Sequence, residues 1–97
     1  MTHRLAQQFH PQKIILFGSY ARGTAGPHSD VDLLVIMAIS GSKRQTTVEM
    51  YRLLGGIGLP KDIILVTPEE VKKYKNIPGT IIHEALNEGK VLYEHVG

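Results

Sequence analysis

The sequence predicts a small α/β (α+β) fold, a mixed sheet of mostly four strands with helices largely on one side. Three observations carry that reading. Short apolar runs rich in β-branched residues recur as Ile14-Ile15-Leu16-Phe17, Leu33-Leu34-Val35-Ile36-Met37 and Ile63-Ile64-Leu65-Val66, and such runs flanked by Gly, Pro and Ser read as buried strands. A segment of helical character separates the second run from the third, which makes a parallel crossover natural. Directly after the third run stands Thr67-Pro68-Glu69-Glu70, with Thr as cap, Pro at the first position and Glu in the first turn of a helix.

Taken in order, Met1 to His10 carries Leu5, Ala6 and Phe9 at helical spacing, a short helix that ends at His10-Pro11 because the residue before proline avoids the helical region. Lys13 to Phe17 is the first strand. Tyr20 to Gly23 begins a short helix or turn, and Gly23 to Ser29 is a loop rich in Gly, Pro and Ser. Val31 to Ile39 is the second strand, apolar enough to be central. A helix runs from about Lys43 to Leu54, with Thr47, Met50, Tyr51 and Leu54 on its inner face and Gly55-Gly56 as its stop. Lys61 to Val66 is the third strand. The helix opened by Thr67 runs to about Asn76, Pro78-Gly79 separates it from another over Thr80 to Asn87, and Gly89 ends that one. Lys90 to Tyr93 is a short edge strand.

With 97 residues and 42% hydrophobic content, the chain is expected to form one domain, residues 1–97, around one modest core. Cysteine is absent, which excludes a disulfide framework and a thiolate zinc site and fits a cytoplasmic location. No apolar run approaches the roughly 20 residues of a membrane span, and the N-terminus has no apolar leader segment. The net charge of +2 is compatible with an anionic substrate or an acidic partner. The five histidines, His3, His10, His28, His83 and His95, show no metal-ligand spacing. Lys72, Lys73 and Lys75 read as a solvated helix face. Gly55-Gly56-Ile57-Gly58 has no Lys-Ser/Thr after it, so it is a turn and not a phosphate loop.

The chemistry concentrates between the first two strands. The first ends at Gly18-Ser19, ten residues follow, and the second opens on Asp30-Val31-Asp32. Residues i and i+2 of a strand share a face, so Asp30 and Asp32 are expected side by side, roughly 6.6 Å apart at about 3.3 Å per residue. Two like charges at the head of an apolar strand are costly unless a cation lies between them. Carboxylate oxygens are ligands that Mg²⁺ prefers, and Mg²⁺ commonly takes one or two of them together with substrate phosphates. Gly18 lets backbone approach a ligand, Ser19 adds a hydroxyl and an N–H, and a helical segment after it would offer N–H groups to an anion. A phosphate cradle facing a carboxylate pair suits phosphoryl or nucleotidyl transfer. Asp62, at the head of the third strand, meets the pair at one sheet edge if the two strands are parallel neighbours.

Gly18-Ser19, ten residues, then Asp30-x-Asp32 resembles the signature of the DNA polymerase β-like nucleotidyltransferase superfamily. The fuller string, Gly18 to Gly23 and then Ser29-Asp30-Val31-Asp32-Leu33, is similar to its smallest branch, the minimal nucleotidyltransferases, antitoxin partners of HEPN-domain toxins. The resemblance covers nearly the whole chain. It implies that Asp30, Asp32 and Asp62 form a catalytic triad of acidic residues holding two Mg²⁺ ions, with Asp62 as general base or second-metal ligand. It implies ATP as substrate, and AMP transfer to a hydroxyl, a tyrosine, of a HEPN toxin held in a hetero-oligomer. Gly18, Ser19, Arg22 and Ser29 would form the nucleotide-binding loop. Arg22 has two readings, a phosphate contact or an internal brace of the loop, and Ser29 could bond a carboxylate or start the strand, a structural role being the better reading. Two other functions stay open: a non-catalytic antitoxin that covers its partner sterically, and a small-molecule (aminoglycoside-type) nucleotidyltransferase needing a second subunit for its acceptor site. Nucleic acid and membrane are not expected partners.

Overall fold

The computed structural model describes residues 2–56 and 58–95. Met1 of the expected first helix and Ile57 of the glycine-rich turn lie outside the described residues. The elements follow as α1 (Thr2–Phe9), β1 (Lys13–Phe17), α2 (Ser19–Arg22), β2 (Val31–Ile36), α3 (Lys43–Leu53), β3 (Lys61–Val66), α4 (Pro68–Tyr74), α5 (Ile81–Glu88) and β4 (Lys90–Glu94). The four strands form one mixed sheet in the order β3-β2-β1-β4. β1 pairs antiparallel with β2 and with β4, while β2 and β3 run parallel.

Local chemistry accounts for most boundaries. His10 leaves α1 with a φ of 49° because Pro11 bars the helical region to the residue before it. Ser42 caps α3, its side chain accepting from the Gln45 N–H. Thr67 and Glu70 form a reciprocal capping box at α4 with Pro68 in the first turn, and Thr80 caps α5 through the His83 N–H. Most expected boundaries agree to within one or two residues, and two endings have a particular physical cause. β2 stops at Ile36 rather than Ile39, because Ile36 faces both Lys13, the first residue of β1, and Val66, the last of β3; beyond it the Met37 N–H makes a last bond to the Val66 carbonyl at 3.0 Å. Gly89 ends α5 in extended backbone (φ −81°, ψ 171°), not in a left-handed cap. Space, not torsion, demands glycine there: a Cβ would run into the Ala85 and Leu16 carbonyl oxygens and Ile15 Cγ2.

The expected placement of helices largely on one side is corrected. Ile14, Leu33, Val35, Ile63 and Leu65 pack with Leu5 of α1 and with Met50 and Leu54 of the α3 segment on one face. Ile15, Phe17, Leu34, Ile36 and Val66 pack with Ile82 and Ala85 of α5, joined by Val71 and Tyr74 of α4, on the other. The strands are apolar on both pleat faces, and a strand with two apolar faces needs cover on each. Leu5, Leu34, Met50 and Leu54 are all fully buried, and each such side chain is worth roughly 1.5–3 kcal/mol over an exposed one. This two-sided core leaves the N-terminal ends of β2 and β3 at one rim of the sheet, beside the end of β1.

Candidate active site

The rim is assembled by register. In the parallel pair, Asp32 stands opposite Asp62, and in the antiparallel pair Asp32 stands opposite Phe17. The residue after Phe17 is Gly18, so the Gly-Ser turn closes directly over the Asp32 carboxylate. A Cβ built on Gly18 would overlap Asp32 Oδ2, and Gly18 holds φ 74° and ψ −153°, a region that only glycine adopts readily.

From Ser19 the chain makes a single helical turn to Arg22, closed by Gly23 in left-handed conformation. The Arg22 N–H donates to the Gly18 carbonyl at 3.1 Å and the Thr24 N–H to the Ser19 carbonyl at 2.9 Å. Ser29 accepts from the Gly26 N–H at 2.8 Å through its hydroxyl and returns a bond from its own N–H to the Gly26 carbonyl at 3.2 Å. Its side chain thus closes the loop locally onto Gly26. Arg22 Nη1 lies 3.9 Å from Glu88 Oε2 on α5, both side chains about half exposed, a long and largely solvated ion pair.

Asp30 precedes β2 by one residue and is exposed, Asp62 is exposed, and Asp32 is half-buried. The Asp32 carboxyl is held above the usual carboxylate range, first by burial, then by the Asp62, Asp30 and Glu84 carboxylates, with Arg22 opposing them. Four acidic side chains therefore share one field. Glu84 was not foreseen; it comes from the first turn of α5, and nothing in its sequence context sets it apart. Tyr51 was expected only as a packing residue. It is instead 37% exposed, and its hydroxyl bonds Asp62 and the Ile63 N–H.

Among the described residues no group of three or more His, Cys, Asp or Glu side chains converges closely enough to enclose an ion. The donor set fits a different arrangement, in which a hard cation takes one or two carboxylates and completes its shell with water and phosphate oxygens. The mutual repulsion felt at Asp32 is what such a cation would relieve. The rim is open. A cleft of about 670 Å³ lies at the opposite end of the sheet, lined by Lys13, Ile36, Pro68, Lys72 and His95 among others, and includes none of the three aspartates.

Among the described residues no helix is long and apolar enough to cross a membrane. Two curated proteins align with the chain. It is 36% identical over 81 residues to the bifunctional uridylyltransferase/uridylyl-removing enzyme of Methylococcus capsulatus, covering 81% of this chain and 9% of that protein. It is 37% identical over 89 residues to a Methanocaldococcus jannaschii protein named "putative protein adenylyltransferase", covering 84% of this chain and 57% of that one. The chain thus spans less than two thirds of either relative. A crystal structure of a mutant of the toxin-antitoxin MntA-HpeT superposes with a TM-score of 0.69 at 19% identity, covering 97% of this chain and 70% of that one. One of the toxin-antitoxin with AMP-PNP gives 0.68 at 21% with the same coverage. At such identities the likeness is one of fold. The family described as Polymerase beta, Nucleotidyltransferase matches residues 1–96, and with the Gly-Ser turn closed over an in-register aspartate pair, the chain belongs to the polymerase β nucleotidyltransferase family of enzymes.

Proposed function

We propose that this chain transfers AMP from ATP to a tyrosine hydroxyl of a HEPN-domain toxin and thereby acts as its antitoxin in the cytoplasm. One observation carries the reading: Asp32 and Asp62 face each other at the sheet rim where Gly18 and Ser19 turn. The toxin-antitoxin fold neighbours, one of them with AMP-PNP, and the relative whose name includes protein adenylyltransferase support the substrate and partner. The exposure of Asp30 and Asp62 supports a large acceptor that brings its own surface, since a small molecule needs walls on several sides.

Asp30 and Asp32 would hold Mg²⁺, which when bound offsets the charge of the triphosphate. Gly18 gives the phosphates access to backbone, and Ser19 with the N–H groups of the α2 turn binds their oxygens. Arg22 swings from Glu88 to the phosphates as the nucleotide enters. Asp62 takes the proton of the acceptor hydroxyl; the hydroxyl oxygen attacks the α-phosphorus and pyrophosphate leaves.

The test is incubation of the chain with radiolabelled ATP, Mg²⁺ and its HEPN partner, beside an Asp30→Ala, Asp32→Ala double mutant. Label on a partner tyrosine with wild type and none with the mutant is the expected result. No transfer with any of the four nucleotides, while the two proteins still form a stable complex, would replace this reading by steric neutralisation.

A further inference from the structure

Tyr51 reaches from α3 to the outer edge of β3. Its hydroxyl accepts from the Ile63 N–H at 2.7 Å and donates to Asp62 Oδ1 at 3.3 Å. β3 is an edge strand, so this N–H is one of the donors that a sheet edge presents without a strand partner. The shorter bond anchors the phenol to the backbone of the strand that carries Asp62. The longer one then ties the carboxylate to that anchor. The helix is itself firmly seated, because Met50 and Leu54, which flank Tyr51, are fully buried.

An exposed carboxylate at the head of an edge strand has rotamer freedom that catalysis cannot use, since a displacement of about 1 Å at a reacting group costs on the order of 100-fold. We propose that Tyr51 is a positioning residue for Asp62: it engages Oδ1 at the β3 edge, fixes the carboxylate rotamer and leaves Oδ2 to the reaction. The inference rests on the nucleotidyl-transfer reading of the site. Tyr51 is eleven positions before Asp62 and belongs to another element, so no motif in the sequence joins them.

Two measurements on the full chain test this. The first needs no turnover: the side-chain carboxyl ¹³C shift and χ1 couplings of Asp62, by NMR, in wild type and Tyr51→Phe. A single rotamer in wild type that becomes averaged in the variant is expected; identical Asp62 signals in both would overturn the proposal, whether or not the chain transfers nucleotide. The second is a kinetic cycle of Tyr51→Phe, Asp62→Asn and the double variant with ATP and the partner. Tyr51→Phe is expected to lower kcat by about 10- to 100-fold, the range for orienting residues behind a reactive group, with KM for ATP unchanged and no further loss in the Asp62→Asn background. The same loss in both backgrounds would mark a purely structural tyrosine. Nucleotide found covalently on Tyr51 of the wild type would make it an acceptor and also overturn the proposal. If wild type transfers nothing, the functional reading falls by itself and the NMR result still decides the role of Tyr51.

Discussion

Asp32 and Asp62 occupy facing positions of one parallel strand pair. Thirty residues apart in sequence, they are brought to a single rung because β2 and β3 start together, Val31 facing Lys61. A one-residue slip would send one carboxylate to the opposite sheet face. The slip is prevented by the apolar residues that follow, Leu33 to Ile36 and Ile63 to Val66, each of which has a defined face to fill. The core therefore sets the geometry of the acidic rim.

Gly18→Ala is expected to damage site and fold together. The new methyl meets Asp32 Oδ2 at a positive φ, and a residue forced into such a glycine-only region costs of order 1–3 kcal/mol. Urea denaturation reads the stability loss. Nucleotide transfer should fall further than stability alone explains, because the displaced group is the Asp32 carboxylate.

Asp32→Asn should stabilise the protein while abolishing transfer. The Asp32 carboxyl is pushed up by burial and by its acidic neighbours, so the fold favours its protonated form. That contribution is fully present below the unfolded value and is lost as pH rises through the raised folded one. At pH 7 the wild type carries the repulsion and the amide does not. A higher melting temperature than wild type is expected at pH 7. Thermal melts should show the gap closing below the ordinary carboxylate range. Added Mg²⁺ should raise the melting temperature of wild type at pH 7 more than that of the variant.

Glu70 works in the opposite sense. Its carboxylate accepts from Lys43 Nζ at 2.7 Å and from the Thr67 N–H at 3.0 Å, and the Lys43 bond, then the backbone bond, lowers its pKa. The stability this supplies is present above the unfolded carboxylate value and is lost as pH falls through the lowered one. Glu70→Gln should cost about 0–1 kcal/mol at pH 7, the range of a half-exposed ion pair, since a glutamine can still accept from the Thr67 N–H. The deficit should shrink as pH falls through the lowered value, and chemical denaturation over a descending series of pH values follows it.

Arg22 and Glu88 separate the brace from the phosphate contact. Their pair is long and half exposed, and such pairs contribute about 0–1 kcal/mol. Glu88→Ala should leave stability within about 0.5 kcal/mol of wild type and KM for ATP unchanged. Arg22→Ala should raise KM for ATP about tenfold, the loss of one charge-assisted bond of roughly 1.4 kcal/mol. Equal and small effects of both substitutions on KM would reduce Arg22 to a loop brace.

Much of this was legible along the chain. β1 and β3 fall on the residues that apolar patterning marks, and the Thr67 capping box and the Thr80 cap are local bonds spelled by adjacent residues. The Gly18-Ser19 and Asp30-x-Asp32 motif is equally local: its spacing sets turn and carboxylates across one hairpin-like pair of strands. Cover on both faces of the sheet was also implicit in the unbroken apolar run Leu33 to Ile36, although the expected helix placement did not use it.

The elements, their caps and the residue types that can do chemistry are therefore written in the order of residues along the chain, because those depend on contacts a few residues apart. It took the folded core to put Asp32 and Asp62 on one rung, Glu84 of α5 in the same field, the Tyr51 hydroxyl within bonding distance of Asp62 at the strand edge, and Gly89 against the Leu16 carbonyl and Ile15 side chain. Each of these joins separate elements. Such contacts are selected by the packing of the whole core, in which no single residue carries the information.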